Sequence, residues 1–397
     1  MTEENKVRID KASSWEEGKS KYVTFVVTED CQLACKYCYL VGKNKSARMN
    51  FETAKKTVDF ILKDNIHSAE ESVVLEFIGG EPLIEIELID KICDYFKLRA
   101  YETNHRWFNN YRIGFTSNGL MYSDPRVQEF IKKNRMHISL QITIDGTKTK
   151  HNLQRVYSDG TGSYDNVVRN IPLWKKQFPD TSTKVTISSG DIPYIKESVL
   201  HLFSLGIKEV NINAVFEDVW KEGDDVLFEE QLTGLADEII ERKLYEDFTC
   251  TFFSRTIGYP YTENVNWCGA GKMLAVDSKG NFYPCIRFVG FSLQNREGLM
   301  LGNADDGIDE NKLRPFLVLD MVSQSPEECV DCSVAAGCAW CQGANYDFAD
   351  TETIFQRSVS ICKMHKARVR ANNYFWNKLG RRLNKNLREE NNMYPAC

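Results

Sequence analysis

Three cysteines lie close together near the start of the chain, at Cys31, Cys35 and Cys38. Their C-x3-C-x2-C spacing supplies three thiolates from one loop, whereas a four-iron cluster has four irons to be ligated. One iron would therefore have no protein ligand and could hold a small molecule. Zinc is the alternative, but zinc sites usually supply four ligands and combine a C-x2-C pair with distant partners. The spacing therefore favours an iron–sulfur cluster.

The chain has 13 cysteines among 397 residues, and ten of them fall into two groups. The three that stand apart are Cys93, Cys250 and Cys397, of which Cys93 is expected to be an inert core thiol. The first residues lack the charged-then-apolar pattern of a signal peptide, and no apolar run is long enough to cross a membrane, so we expect a cytoplasmic protein with reduced thiols. Clustered thiols in that compartment indicate metal rather than disulfides. The net charge of −6 argues against nucleic acid as the main partner.

The first 240 residues alternate strand and helix patterns. The strand-like runs are 22–28, 73–78, 112–117, 138–144, 184–189 and 209–214. The helical runs are 51–63, 86–101, 126–133, 164–178, 195–205 and 229–246. Six βα units in succession predict parallel strands joined by right-handed crossovers. Six units rather than eight predict an α/β fold with an open, partial (β/α)6 barrel.

Glycines and polar residues follow the predicted strands at one end. Gly79-Gly80-Glu81 follows the second strand, Ser117-Asn118 closes the third, and Thr143 and Asp145 end the fourth. The first three cysteines follow the first strand. Because the carboxyl ends of the strands carry the active site in βα barrels, these segments are expected to meet there.

These motifs together resemble the radical S-adenosylmethionine (SAM) superfamily, over residues 22 to about 245. The resemblance implies that SAM binds the open iron and that the reduced cluster splits it to give a 5′-deoxyadenosyl radical. It implies a SAM site formed by Tyr37, Gly79, Gly80, Glu81, Ser117, Asn118, Thr143 and Arg155. In that site, Glu81 would bind the amino group, Arg155 the carboxylate, and Tyr37 would lie by the adenine. Taken alone, the glycines would be a turn, Arg155 a solvated charge, and Ser117-Asn118 a helix cap.

The later cysteines lie in a region from about residue 250 that is rich in glycine and short strand patterns, including a hairpin at 275–283. Their pattern resembles the SPASM extension, which carries two auxiliary [4Fe–4S] clusters, for three clusters in all. The resemblance implies an outer group, Cys329, Cys332, Cys338 and Cys362, and an inner group, Cys268, Cys285 and Cys341. A zinc ribbon is the alternative on spacing alone. The eighth ligand is either Cys250 or missing, and a missing ligand would leave an iron open to a substrate thiolate.

The resemblance extends to enzymes that mature ribosomally made peptides, including the group linked to CXXX-repeat precursors. Sulfatase maturases carry an aspartate just after the cysteine equivalent to Cys285, whereas Ile286 and Arg287 stand here. We therefore expect a thioether-forming peptide maturase that removes a hydrogen atom from a precursor peptide and couples the carbon to a cysteine sulfur. The alternatives are C–C crosslinking or another oxidation of a peptide, and a non-catalytic electron carrier. No general base is identified, and Asp145 and Arg287 are candidates for substrate contact.

The expected division of the chain is an extension at 1–21, the barrel at 22–245, the auxiliary-cluster domain at 246–366, and a terminal helix and tail at 367–397. Barrel strands begin too early to leave room for an N-terminal peptide-recognition domain. The expected partners are a precursor peptide and an electron donor such as flavodoxin or ferredoxin, with no nucleic acid and no membrane.

Overall fold

The computed structural model describes residues 19–64, 66–217, 219–261, 263, 264, 266, 268–348 and 353–384. The predicted extension lies almost wholly outside these residues, as do Cys397 and the end of the predicted tail. No helix among the described residues is long and apolar enough to span a bilayer.

The six predicted strands are present and run parallel within two sheets. They are β1 (Ser20–Thr28), β2 (Ser72–Gly79), β3 (Tyr111–Ser117), β4 (Ile138–Ile142), β5 (Ser182–Ile187) and β6 (Glu209–Ala214). Strands β1 to β4 form one ladder, and β5 and β6 form another. The Thr183 hydroxyl joins the two, since it donates to the Ile142 carbonyl at 2.7 Å and accepts from the Ile144 amide at 2.9 Å. The partial barrel predicted from the sequence is confirmed.

Helices separate the strands and cover the outside of the barrel. They are α1 (Phe51–Lys63), α2 (Ile86–Glu102), α3 (Pro125–Lys133), α4 (Lys148–Gln154), α5 (Tyr164–Val168), α6 (Ile171–Gln177), α7 (Ile195–Ser204) and α8 (Asp224–Glu241). The helix predicted over 164–178 is broken in two. Pro172 lies at the start of α6 and has no amide hydrogen to continue the hydrogen bonds of α5, so a new helix begins there.

Alternation along the strands divides the barrel into an apolar outer layer and a polar interior. Phe25, Phe77 and Phe115 are neighbours on β1, β2 and β3, and their rings stack with centroids 5.6 Å apart at each step. The preceding residues, such as Glu76 and Gly114, lie on the opposite face, because successive side chains of a strand alternate. That face encloses the barrel interior.

The C-terminal region continues the barrel sheet. Its strands are β7 (Thr249–Cys250), β8 (Leu274–Val276), β9 (Asn281–Tyr283), β10 (Gly302–Asn303) and β11 (Gly307–Ile308). The β8–β9 hairpin is the predicted one, and β8 pairs in parallel with β1, so the strand order is β11-β10-β9-β8-β1-β2-β3-β4. The turn of the hairpin is held by Asp277, which accepts from the amides of Lys279 and Asn281. The two regions therefore share one sheet.

Short helices complete this region: α9 (Glu310–Val318), α10 (Met321–Gln324), α11 (Glu327–Val330) and α12 (Gln342–Phe348), followed by the long α13 (Cys362–Leu383). Helix α13 packs against α8, where Tyr374 and Lys378 both contact the Asp237 carboxylate at 2.7 Å. It begins at Cys362 itself, so the last predicted ligand of the outer group lies on the first turn of a helix that is anchored to the barrel.

Candidate active site

The loop that carries Cys31, Cys35 and Cys38, here called the first group, is fastened to the end of β2. The Gly80 amide donates to the Thr28 carbonyl at 3.1 Å, and the Glu81 amide donates to the Asp30 carbonyl at 2.8 Å. A Cβ on Gly79 would lie 1.9 Å from the Thr28 oxygen, and one on Gly80 would lie 2.1 Å from the Asp30 oxygen. The glycines are therefore required by close approach to the cysteine loop, and their predicted part in the SAM site stays a prediction.

Glu81 ties β2 to β3 from a fully buried position. Its carboxylate accepts from the Ser117 hydroxyl at 2.8 Å, the Asn118 amide at 2.7 Å and the Leu83 amide at 3.1 Å. Burial raises the pKa of Glu81, and the three donors oppose that rise. These donors already engage the carboxylate, so its predicted contact with the SAM amino group stays a prediction.

Ser117 and Asn118 serve this junction rather than a helix. The Asn118 side-chain amide donates to Gln32 at 3.0 Å and lies 3.9 Å from the Cys31 sulfur. The next helix, α3, is capped by Asp124 instead. The helix-cap alternative for Ser117 and Asn118 is therefore wrong. Ser117 contacts Glu81, and Asn118 lies next to Cys31 of the first group.

The thiols of the first group line a cavity of about 370 Å³, together with residues of the same loop and Ser158. Burial raises the pKa of Cys31 to about 11, so this thiol holds its proton at neutral pH until a metal displaces it. One cation is in place: the Lys43 ammonium lies 3.5 Å from the Cys38 sulfur. Space, thiols and a cation fit an anionic iron–sulfur cluster held by thiolates.

A buried network of charges lies beside the first group. The Tyr37 hydroxyl donates to the Asp145 carboxylate at 2.8 Å and accepts from Arg155 at 2.8 Å, while Lys150 lies 3.3 Å from Asp145. Asp145 and Lys150 are almost completely buried. Burial alone would raise the pKa of Asp145, but Lys150 and Arg155 hold it below its ordinary value. Asp145 therefore stays ionised and orients its two cationic neighbours.

This network changes the interpretation of three predicted residues. Arg155 is 7% exposed, so the solvated-charge alternative is wrong. Its buried Nε has no hydrogen-bond partner among the described residues, which leaves one donor available to a carboxylate such as that of SAM. Asp145 is enclosed by Tyr37 and the cations, so its predicted direct contact with substrate is not supported. Tyr37 bonds to Asp145 and Arg155 through its hydroxyl, and the predicted position of its ring beside the adenine of SAM stays a prediction.

Thr143 is buried at the end of β4. Its amide donates to the Ser117 carbonyl at 2.9 Å, which extends the pairing of β3 and β4 to the site. His151 lies next to the buried charge network, and its ring contacts the Asp145 amide and the Ser163 hydroxyl. Burial and Arg155 lower the pKa of His151 to about 3, so the ring is neutral.

The three inner-group cysteines come together near Arg287. Burial raises the pKa of Cys268 and of Cys285, and the neighbouring Cys341 adds to both effects. The Arg287 guanidinium donates to Glu217 at 2.9 Å and lies 4.8 Å from the ring centre of Tyr39. Because Tyr39 directly follows Cys38, Arg287 lies between the first group and the inner group.

Cys250 lies elsewhere. It is buried in β7, where it pairs with Val210 near the start of β6, and burial raises its pKa to about 12. Glu217, the partner of Arg287, follows the other end of β6. The stretch from Val210 to Ala214 alone spans about 13 Å. This separation disfavours Cys250 as a fourth ligand of the inner group.

The four outer-group cysteines lie together, and Arg357 lies beside Cys338. Burial raises the pKa of Cys338 to about 11; Arg357 opposes this rise, and the other three cysteines of the group reinforce it. Within the described residues, no three Cys, His, Asp or Glu side chains converge on a point that would hold a single metal ion. Four thiols in one group match one thiolate for each iron of a four-iron cluster.

Sequence reasoning missed three cations and one acid near these groups, namely Lys43, Lys184, Arg357 and Glu76. Arg287 was predicted as a substrate contact, but its position between the first and inner groups was not. Two of the missed residues carried a signal, because Glu76 and Lys184 interrupt apolar strand patterns at positions that face the barrel interior. Lys43 and Arg357 lie on loops, where no periodicity indicates which way a side chain points.

Residues 25–212 match the Radical SAM superfamily. The chain contains a radical SAM domain. A cysteine-type anaerobic sulfatase-maturating enzyme of Clostridium perfringens (strain ATCC 13124) is 21% identical over 344 residues, which cover 80% of this chain and 88% of the relative. The subtilosin biosynthesis protein AlbA of Bacillus subtilis is 23% identical over 282 residues, covering 69% and 57%. Native anSMEcpe with bound AdoMet and the Cp18Cys peptide has the same fold, with a TM-score of 0.68 at 20% identity over 92% of this chain and 99% of that one.

The shared fold extends beyond the radical SAM domain, because the matched structure covers nearly the whole of the chain. A radical SAM domain implies a four-iron cluster and SAM, and the first group with its cavity, Lys43 and Arg155 fits both.

Proposed function

We propose that this protein modifies a cysteine-containing peptide by radical chemistry, using SAM and a cluster at the first group. One observation carries the proposal. The Arg287 guanidinium lies 4.8 Å from the ring centre of Tyr39, which directly follows Cys38, and Arg287 is two residues after Cys285. This contact supports a shared space between the first and inner groups, with Arg287 between them. A substrate in that space would meet both groups.

When bound, the cluster and SAM supply a 5′-deoxyadenosyl radical that removes a hydrogen atom from the substrate. The residues of the chain hold the reactants. Cys31, Cys35 and Cys38 would ligate the cluster, and the free Nε–H of Arg155 would donate to the SAM carboxylate. Asp145 keeps Arg155 aimed through the Tyr37 hydroxyl, so the donor is preorganised before SAM binds.

The barrel interior offers a place for the substrate. Glu76 accepts from the Thr24 hydroxyl at 2.8 Å, and burial lowers the pKa of Lys184 while Glu76 opposes that change. Gly114 is the neighbour of Glu76 on β3 and adds no side chain there. Glu76, Lys184 and Arg287 would position a peptide segment by its polar groups, and the surrounding strands would exclude water.

The linkage that we favour is a thioether. The inner group has three cysteines, and Cys250 is placed away from it, so a four-iron cluster held there would keep one position for a substrate thiolate. The AlbA relative is named for biosynthesis of the peptide subtilosin, which supports a peptide precursor as substrate. Outer-group cysteines would hold a third cluster, and a flavodoxin or ferredoxin would supply electrons.

Oxidation of a single residue is the second candidate, because two relatives are sulfatase-maturating enzymes by name. The products of these reactions differ. A thioether removes two hydrogen atoms from the peptide, keeps the sulfur and consumes a free thiol, whereas oxidation of a cysteine to formylglycine also consumes the thiol but replaces its sulfur with oxygen. C–C crosslinking removes two hydrogen atoms and leaves all thiols free for alkylation. A mere electron carrier would form no 5′-deoxyadenosine.

The test uses anaerobically reconstituted enzyme, SAM, dithionite and synthetic peptides for each short cysteine-containing reading frame beside the gene. We expect 5′-deoxyadenosine, and a peptide product that has lost a pair of hydrogen atoms and one alkylatable thiol. Arg287→Gln should keep 5′-deoxyadenosine formation but lower peptide product at least tenfold. Arg242→Gln removes an exposed arginine directly after α8 and should match wild type. Absence of 5′-deoxyadenosine from enzyme with full iron content would contradict the proposal.

A further inference from the structure

Arg357 is a buried cation that forms no ion pair with an acidic side chain among the described residues. Its side chain and backbone are 5% exposed, and no carboxylate of the described residues forms an ion pair with it. Its contacts are the Cys338 carbonyl at 3.2 Å, the Trp340 ring at 4.8 Å and the Tyr261 hydroxyl. These are neutral groups. Burial of a cation among neutral groups alone is costly, so a negative charge is expected nearby.

The available negative charge is that of the outer-group thiolates. Arg357 acts on both Cys329 and Cys338, in the direction that favours their charged forms. Of the described acidic side chains, Glu328 acts on Cys329, but it is exposed and is therefore screened by solvent. The guanidinium is thus placed to interact with whatever anionic centre the four thiolates hold.

We infer that Arg357 sets the reduction potential of an iron–sulfur cluster held by the outer group. This inference rests on the proposed function, because it requires a cluster at Cys329, Cys332, Cys338 and Cys362. On reduction a cluster gains one electron and becomes more negative, while the charge of Arg357 is unchanged. A fixed buried cation therefore stabilises the reduced form more than the oxidised form and raises the potential.

The surroundings of Arg357 make this effect larger than that of an ordinary surface charge. The Arg357 amide donates to the Gln324 carbonyl, and the guanidinium is confined by Trp340 and the Cys338 carbonyl. The charge cannot move away as the cluster is reduced, and little water screens it. A raised potential would make the outer group the acceptor for electrons that leave the barrel through the inner group.

The experiment is a redox titration of reconstituted full-length protein, followed by electron paramagnetic resonance, in the Cys31/35/38→Ala background. Only the auxiliary clusters contribute signals there. Arg357→Gln should lower the midpoint potential of one cluster by at least about 59 mV, which is a tenfold change in the reduction equilibrium for one electron. Lys363→Gln removes an exposed cation next to Cys362 and should shift that midpoint much less.

The outcomes separate this inference from the proposed function. If iron content shows the outer cluster in Arg357→Gln and its midpoint equals that of wild type, the inference is wrong. If Arg357→Gln loses the cluster, Arg357→Lys is measured instead, because it keeps the positive charge. A midpoint potential that differs from wild type by no more than the Lys363→Gln shift supports the inference. A tenfold fall in the reduction equilibrium overturns it. If wild-type protein binds no cluster at the outer group, the proposed function fails instead.

Discussion

The first group and the outer group are both sets of cysteines on loops, but the chain supports them differently. The first-group loop is bonded to the ends of the barrel strands through Gly80 and Glu81, and it adjoins a buried network with charges of both signs. The outer group lies among short helices, and among the described residues the buried charge that contacts it is the cation Arg357. The protein organises the first site before any cofactor binds. At the outer group, the buried positive charge is compensated only once an anionic centre is present.

This difference follows from what each site would hold. A site for SAM must orient a small molecule with charges of its own, so Asp145, Tyr37 and Arg155 are fixed relative to one another. A site for an electron-transfer cluster needs only ligands and a local potential, and one cation supplies the latter. The predictions below test the comparison, beginning with the largest expected effect.

Gly80→Ala should abolish the first site. The added Cβ would lie 2.1 Å from a backbone oxygen, so the cysteine loop must separate from β2. We expect a loss of stability of about 3 kcal/mol and no 5′-deoxyadenosine formation, with auxiliary iron retained. Gly190→Ala is the control, since a Cβ there meets no atom within 4 Å. Activity in Gly80→Ala would show that the strand junction does not organise the first group.

Cys341→Ser should remove a cluster that Cys250→Ser leaves intact. Iron content is expected to fall by about four atoms per chain in the first variant and to stay unchanged in the second. The reason is the position of Cys250 in β7, paired with Val210 and away from Arg287. Equal iron loss in both variants would place Cys250 at the inner group and leave no position for a substrate thiolate.

Asp145→Asn should weaken the buried network without changing its shape. Removal of the charge leaves Lys150 and Arg155 buried with less compensation, at a cost of about 3 kcal/mol. We also expect the dissociation constant for SAM to rise about tenfold, because Arg155 is no longer held. Denaturant unfolding and equilibrium SAM binding measure the two effects. Unchanged SAM affinity in a destabilised variant would reduce Asp145 to a purely structural role.

Acid should destabilise the protein through His151. Its folded pKa of about 3 lies below the unfolded value of about 6.5, so the unfolded chain binds the extra proton as pH falls through that interval. Stability is therefore fully present above about pH 6.5 and decreases below it, by about 2 kcal/mol at pH 5. His365, with a pKa of about 4, contributes in the same direction. His151→Gln should flatten part of this decline in urea titrations, and an unchanged slope would contradict the assignment.

Much of the barrel follows from the sequence, since strand and helix periods repeat six times and the cysteine spacing marks the first site. The broken helix at 164–178 does not follow, because one proline outweighs the periodicity around it. The pairing of β8 with β1 was also missed. It joins residues about 250 positions apart, and three-residue strands carry no partner information.

The site residues divide in the same way. Motif residues such as Arg155 and Glu81 could be named from their order along the chain, but their contacts depend on which strands are neighbours. The position of Cys250 needed the register of β6 and β7. The role of Arg357 could not be predicted from the sequence. It depends on the lack of an acidic partner among the described residues, and only a packed structure shows which partners a buried charge lacks.

The most direct test of the account is iron content after anaerobic reconstitution, measured in wild type and in the Cys31/35/38→Ala variant. The account predicts about twelve irons per chain, falling to about eight in the variant, because the first, inner and outer groups each hold a four-iron cluster. About eight irons falling to about four would contradict it. Only one auxiliary cluster would then exist, and the contrast between the first site and two separate auxiliary groups would no longer hold.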